Sequence, residues 1–235
     1  MAESFSGREW MEQKIKSSVD WERDVYAKGN QVNRWPFDKV VSSIMRATAT
    51  RNRRDVSVLE IGCGAGNNIW FLAAEGFRAY GLDMSRTAIE HARQRLDRFD
   101  LQAELVVGDI AELPWDDRSF DFVIDRGALT QNSHEDIRKI VEEGRRVLKA
   151  MGVMLSFDLF GMNHPDRLFG DEVSHHTFDN FRDGYFRSVG LTSFFTNEDL
   201  RALFGLFSEV KIHRMTVHDE EDRILSEAFT VTAVK

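Results

Sequence analysis

The segment Val58-Leu59-Glu60-Ile61-Gly62-Cys63-Gly64-Ala65-Gly66-Asn67-Asn68 constrains this chain more than any other. A β-rich run over 56–61 meets three closely spaced glycines, and a helical pattern opens directly after them. Glycine has no Cβ, so such a loop can turn sharply and let a ligand approach the backbone. The spacing is G-x-G-x-G. The dinucleotide fingerprint G-x-G-x-x-G is not met, because the third glycine comes one residue early. The loop therefore points to a nucleoside-like ligand that need not carry a pyrophosphate. A tight βα turn with no ligand would use the same residues.

The pattern around the loop alternates. Strands are expected at 56–61, 78–82, 104–107, 120–124 and 153–157, with helices at 67–75, 85–98 and 134–149. Strands alternating with helices predict a parallel sheet covered on both faces. A helix at 197–204, capped by Thr196 or Asn197, precedes strands at 210–217 and 228–234. Only a short polar connection joins those two, which predicts an antiparallel hairpin closing the sheet. A helix follows Pro36, with Val40, Val41, Ile44 and Met45 at helical spacing. Residues 1–35 are polar, with Trp10, Trp21, Tyr26 and Trp35 spaced along them, and are expected to lie as a helical lid over a body of 36–235. The stretch 160–195 is aromatic-rich without a helical period, and an insert of that length is usually functional or mobile.

Acids recur at the strand ends. Glu60 precedes the glycines, Asp83 ends the second strand, and Asp109 follows the third. Each alone fits a helix cap or a solvated loop. Together they outline a crevice on the edge where open α/β sheets bind ligands, with Asp83 placed where a ribose-binding acid belongs.

Composition narrows the classes. With 235 residues, 42% hydrophobic and 30% charged, the chain suits one sizeable core. A net charge of −8 disfavours nucleic acid as a partner. The Arg46, Arg51, Arg53 and Arg54 cluster fits a solvated turn. No run approaches the ~20 apolar residues of a membrane span. No apolar leader region opens the sequence, so a cytoplasmic location is expected. The single cysteine, Cys63, excludes an internal disulfide and a cysteine metal cluster.

The segments LEIGCGAG, GLDMS, GDIAELPWDDRSFDFVID and the strand after RRVLKAMGVM resemble the class I S-adenosylmethionine-dependent methyltransferases over roughly 56–158. The resemblance implies a Rossmann-like, seven-stranded, mostly parallel α/β sheet with a reversed final hairpin. It also implies S-adenosyl-L-methionine as cofactor. Carried over, Gly62, Cys63, Gly64 and Gly66 would surround the methionine portion and ribose, and Glu60 would meet the amino group. Asp83 would take the ribose hydroxyls and Met84 would pack on the adenine. Asp109 and the Ile110 amide would read the adenine edge. Asp125 and Arg126 would lie near the transferable methyl. A second resemblance, in WERDVYAKGNQVNRWP and VIDRGALTQN, is to bacterial methyltransferases of surface-glycan pathways. It makes Tyr26, Arg34 and Trp35 cofactor or lid contacts.

The expected acceptor is a small molecule, a sugar or similar metabolite methylated on O or N. An Asn/Asp-Pro-Pro-aromatic motif, used for exocyclic amines, is replaced by Asp125-Arg126-Gly127-Ala128. Cytosine-C5 chemistry needs a cysteine nucleophile, and Cys63 sits in the glycine loop. Asp125 and His134 are the candidate general bases, with His164, His175 and His176 as further candidates. His175, His176 and Arg182 are expected to bind the acceptor, and the insert's phenylalanines build either an acceptor wall or a satellite core. Asp125 with Asp158 offers too few ligands for a metal, so none is expected. The alternatives are a nicotinamide-dependent oxidoreductase and a catalytically inactive cofactor-binding module.

Overall fold

The computed structural model describes residues 17–235. Residues 1–16, with Trp10 and the first part of the expected lid, lie outside the described residues. The strands are β1 (Ser57–Ile61), β2 (Arg78–Asp83), β3 (Glu104–Val107), β4 (Phe120–Arg126), β5 (Leu148–Phe160), β6 (Asp171–Ser174), β7 (Thr177–Asp179), β8 (Thr192–Ser193), β9 (Glu209–His218) and β10 (Ile224–Val234). Seven of them form one sheet in the order β3-β2-β1-β4-β5-β10-β9. The first five run parallel, and β10 pairs antiparallel with both β5 and β9. This is the expected α/β sheet with its late reversed hairpin.

Helices α1 (Asp38–Ala47), α2 (Asn67–Ala74) and α3 (Arg86–Arg98) cover one face through Val40, Ile44, Ile69, Leu72, Ile89 and Leu96. Helices α4 (His134–Val147) and α5 (Asn197–Leu203) cover the other through Ile137, Ile140, Val141, Leu200 and Leu203. Strand β1 is buried along its whole length, as a central parallel strand clad on both faces must be. Local chemistry sets the helix starts. Ser85 Oγ accepts from the Ala88 amide at 3.0 Å, Ser133 Oγ accepts from the Asp136 amide at 3.2 Å, and Thr196 with Asp199 makes a reciprocal capping box.

Two regions differ from the sequence expectation. Helix α4 stops at Val147, and β5 takes in everything from Leu148 to Phe160. Leu148 already pairs with Phe120, Met151 adopts a φ of +61° before Gly152, and β10 then pairs along the strand as far as Phe160. The strand therefore bends where a helix was expected to run on. The insert, patternless in sequence, forms an antiparallel sheet β6-β7-β8. Phe178, Phe181, Phe186 and Phe194 make its own small core, Phe195 joins the main core, and Phe169 is exposed.

Residues 17–35 bridge this insert and α3. The Ser18 amide donates to Asp179 Oδ2 at 2.7 Å, and the Leu191 amide donates to Ser17 Oγ at 2.9 Å. A π-helical turn, Trp21–Val25, then brings the Glu22 carboxylate onto the hydroxyls of Ser85 and Thr87. Among the described residues no helix is long and apolar enough to cross a membrane.

Phe157 on β5 is 1% exposed and packs beneath α1–α3. Phe157→Ala is expected to cost about 3–5 kcal/mol of global stability, read from urea unfolding of the purified protein.

Candidate functional site

The sheet order places a topological switch between β1 and β4, where successive crossovers leave in opposite directions and open a crevice beyond the strand ends. The glycine loop sits there because its backbone can. Gly62 and Gly66 have φ of +64° and +71°. A Cβ on Gly62 would lie 2.3 Å from Ala128 Cβ, and one on Gly66 would lie 2.6 Å from Ala92 Cβ. The loop therefore lets β1 approach the segment after β4 and α2 approach α3, positions closed to any side chain. Over Gly64 lies the buried Tyr26 hydroxyl, whose ionisation is pushed up by burial and then by the nearby Asp83, Cys63 and Glu60.

Asp83 is buried at the end of β2. Its Oδ2 accepts from the Gly64 amide at 2.8 Å and its Oδ1 from the Ser85 amide at 2.9 Å. Burial raises its pKa, and the two amides oppose the rise. The carboxylate thus ties the glycine loop to the start of α3.

Glu60 and Asp125 are more exceptional. Glu60 Oε1 accepts from Asn68 Nδ2 at 2.6 Å, while Oε2 is buried without a partner. Asp125 Oδ1 accepts from the Ala128 and Leu129 amides at 2.9 and 3.0 Å, while Oδ2 is likewise unpartnered. Ser156 Oγ, in register with Asp125 on β5, and Arg126 Nε are unpartnered too. Four buried polar atoms on three adjacent strands lack partners at one edge, and buried polar groups normally find one. Burial pushes Glu60 up to about 8 and Asp125 up to about 7. The Arg126 guanidinium lies 3.5 Å from the Phe37 ring centroid and bonds Asp158 Oδ2 at 3.1 Å. Asp158, held at a φ of +55°, also takes Lys39 Nζ at 2.7 Å.

The other expected residues are distributed. Met84 is 76% exposed beside Asp83, and Asp109 is exposed after β3, with Oδ1 accepting from the Ala111 amide at 2.8 Å. Ile110 packs against the main core. Arg34 lies over the Trp35 ring, and both line a cavity of about 590 Å³ with Trp70, Arg95, Arg98 and Phe99 on α2 and α3. They do not join Glu60 and Asp125. His134, His175 and His176 come together, but around Asp199 at the start of α5. His134 Nε2 meets the Phe194 carbonyl at 3.0 Å, and burial lowers its pKa. His164 is buried in the insert. Arg182 pairs with Asp171 within the insert.

Sequence reasoning missed Asn68, Phe37, Lys39 and Glu22. Asn68 carried a signal: two asparagines open an otherwise apolar helix, and such residues are buried only when their amides have work. Phe37, Lys39 and Glu22 carried none, because each meets its partner across the fold.

Residues 58–152 match the family profile described as a methyltransferase domain. A demethylmenaquinone methyltransferase from Bacillus mycoides is 29% identical over 133 residues, covering 54% of this chain and 48% of that protein. One from Thermotoga maritima is 34% identical over 108 residues, covering 45% and 44%. The chain thus spans about half the length of the curated relatives it matches. A crystal structure of a SAM-dependent methyltransferase from Methanosarcina mazei superposes with a TM-score of 0.67 at 22% identity, covering 86% of this chain and 98% of that one. The fold of the chain is therefore that of the SAM-dependent methyltransferases. The alternation of strands and helices over 58–152 carries directly into β5 and the final hairpin.

Raised carboxylate pKa values have a defined stability consequence. A folded-state pKa above the unfolded one means that the folded protein holds the proton more tightly, so stability falls as pH rises through the folded pKa. For Glu60 the window runs from about pH 5 to 8. Over it, the stability advantage of the ligand-free protein over Glu60→Gln is expected to fall by up to about 1.4 kcal/mol per pH unit. Urea unfolding of both proteins at pH 5.5 and 8 measures this, and a pH-independent difference would contradict it.

Proposed function

We propose that this chain is an S-adenosyl-L-methionine-dependent methyltransferase acting on a small-molecule acceptor. The observation that carries the proposal is the pair of unpartnered carboxylate oxygens, Glu60 Oε2 and Asp125 Oδ2, buried at the β1–β4 switch beside the glycine loop. Such acceptors suit a ligand that brings its own donors, and an ammonium group at Glu60 matches one of them. Gly62, Cys63, Gly64 and Gly66 would supply the backbone cradle. Asp83, with lone pairs left after its two amide bonds, would accept from ribose hydroxyls. Asp109, Ile110 and Met84 would flank the adenine at the ends of β2 and β3. The G-x-G-x-G spacing and the methyltransferase matches weigh together against the nicotinamide alternative.

S-adenosylmethionine, when bound, supplies a methyl group on a good leaving sulfonium. The chain's own task is to align an acceptor and exclude water. Asp125 Oδ1 holds the Ala128 and Leu129 amides and so fixes the segment after β4. Its Oδ2, with the carboxyl raised to about 7, is poised to take a proton from an acceptor hydroxyl near neutral pH. Arg126 is pinned between Phe37 and Asp158 and would orient the acceptor side of the crevice. Residues 17–35 would close over the cofactor, through Tyr26 at Gly64 and Glu22 at the α3 start. The insert over 160–195 would form the acceptor side.

The acceptor carries an O, N or activated C nucleophile. A sugar-type metabolite follows from the glycan-pathway resemblance. A demethylmenaquinone-type acceptor is what the relatives' names put beside it. Turnover of nucleotide sugars, amino sugars, small phenols and naphthoquinols, followed as S-adenosylhomocysteine release, decides between these classes. With the acceptor so found, Asp125→Asn is expected to lower kcat at least about tenfold. Unchanged turnover would remove Asp125 as the base. Asp83→Ala is expected to weaken S-adenosylhomocysteine binding by about 2–4 kcal/mol, since a charged acceptor to two hydroxyls is lost. Calorimetry on the folded variant checks this, and unchanged affinity would take Asp83 out of the site.

A further inference from the structure

The histidines gathered around Asp199 are not explained by methyl transfer. Three elements contribute to the cluster: the first turn of α4 supplies His134, the β6–β7 turn supplies His175 and His176, and the α5 start supplies Asp199. One ring nitrogen each from His134 and His175 and a carboxylate oxygen of Asp199 all lie within 4.8 Å of one another. We propose that His134, His175 and Asp199 bind a single divalent transition-metal ion of the zinc type. The proposal does not depend on the methyltransferase reading.

The donor atoms are sorted for this role. Asp199 Oδ2 is already saturated: it accepts from the Thr196 amide and hydroxyl, both at 2.8 Å, and bonds His176 Nδ1 at 2.9 Å. Oδ1 has only His175 Nε2, at 3.1 Å. Two donors bound to one tetrahedral ion at about 2.0–2.1 Å stand roughly 3.4 Å apart, so this pair is already near the required separation. The Phe194 carbonyl can only accept, so His134 Nε2 carries the proton and Nδ1 keeps the lone pair. A backbone carbonyl holding the far N–H of an imidazole is the usual outer support of a metal-bound histidine. His176 supports Asp199 in the same way.

Two imidazoles and one carboxylate suit zinc, cobalt or nickel and not magnesium or calcium, which want oxygen ligands. On ion entry the Nε2 proton of His175 leaves to solvent and the ring keeps or takes its one proton on Nδ1, so His175 binds through Nε2 as neutral imidazole and a fourth position is left for water. The side chain of His175 is 61% exposed, so it can swing the remaining distance to close the site. The ion would pin the insert to α4 and α5. No metal is expected from the sequence because the donors are scattered between residues 134 and 199 without ligand spacing.

The test uses the untagged full chain, stripped with a chelator and titrated with Zn(II) by calorimetry and with Co(II) by visible absorption. About one ion per chain is expected, with d–d bands for Co(II) and a rise in Tm on zinc addition. His134 is largely buried, so its replacement also tests folding, and the deciding variant is the exposed His175→Ala. It is expected to weaken zinc binding more than about 100-fold and to abolish the Tm rise. His176→Ala is expected to weaken binding by about 10-fold, and the exposed His213→Ala to leave it unchanged. Failure to saturate at one ion per chain, or zinc binding by His175→Ala equal to the parent protein, overturns the proposal.

Discussion

The parallel pairing of β1 with both β2 and β4 is the constraint on which the rest of the structure depends. Flanked on both sides and clad on both faces, β1 has nowhere to present a polar group except at its C-terminal end. The chain must leave that end through a turn that clears Ala128 on one side and Ala92 on the other, which is possible only with glycine at 62 and 66. Because β2 and β4 then diverge to opposite sides, the edge stays open. Glu60, Asp83, Asp125 and Ser156, all buried, lie along it.

That concentration is costly by itself. Two carboxyl groups with unpartnered oxygens, an unpartnered serine hydroxyl and an arginine Nε are buried toward the C-terminal ends of three adjacent strands. The raised pKa values of Glu60 and Asp125 express the cost, because the charged forms lose water and gain too few donors in return. Around them the fold spends its ordinary means of repair. Asn68 donates to Glu60, two amides donate to Asp125, and Lys39 with Arg126 neutralises Asp158. Repair stops short of Glu60 Oε2 and Asp125 Oδ2. These two oxygens, left without partners, are the observation on which the proposed cofactor site rests.

The outer parts follow a different logic. The insert does not extend the main sheet. It folds on its own phenylalanine core and is fastened at its edges, by Ser18 to Asp179 on one side and by His175 and His176 to Asp199 on the other. The N-terminal arm spans from that insert to the start of α3. The arm is thus hydrogen-bonded to the insert at one end and to the start of α3, beside the crevice, at the other.

Most of the central architecture was legible in the residues. The alternation of apolar runs, the serines and threonines at helix starts and the acids at strand ends are local patterns, and the physics that produces them is local. Ser85, Ser133 and Thr196 cap the helices that their positions predict, and Glu60, Asp83 and Asp125 stand at the strand ends where they were expected. Residues whose role depends on who approaches from elsewhere were not legible. Phe37 under Arg126, Asn68 against Glu60 and Glu22 on Ser85 and Thr87 are meetings across the fold, as is the gathering of His134, His175 and Asp199. Arg34 and Trp35 were grouped with the cofactor by sequence but line a separate cavity over α2 and α3. By itself, the sequence determined the order of elements and the edge on which polar groups collect, because backbone hydrogen bonding and side-chain periodicity act over a few residues. Only the tertiary structure decided which of those polar groups are paired and which are left open, because partnership and burial depend on elements far apart in the chain.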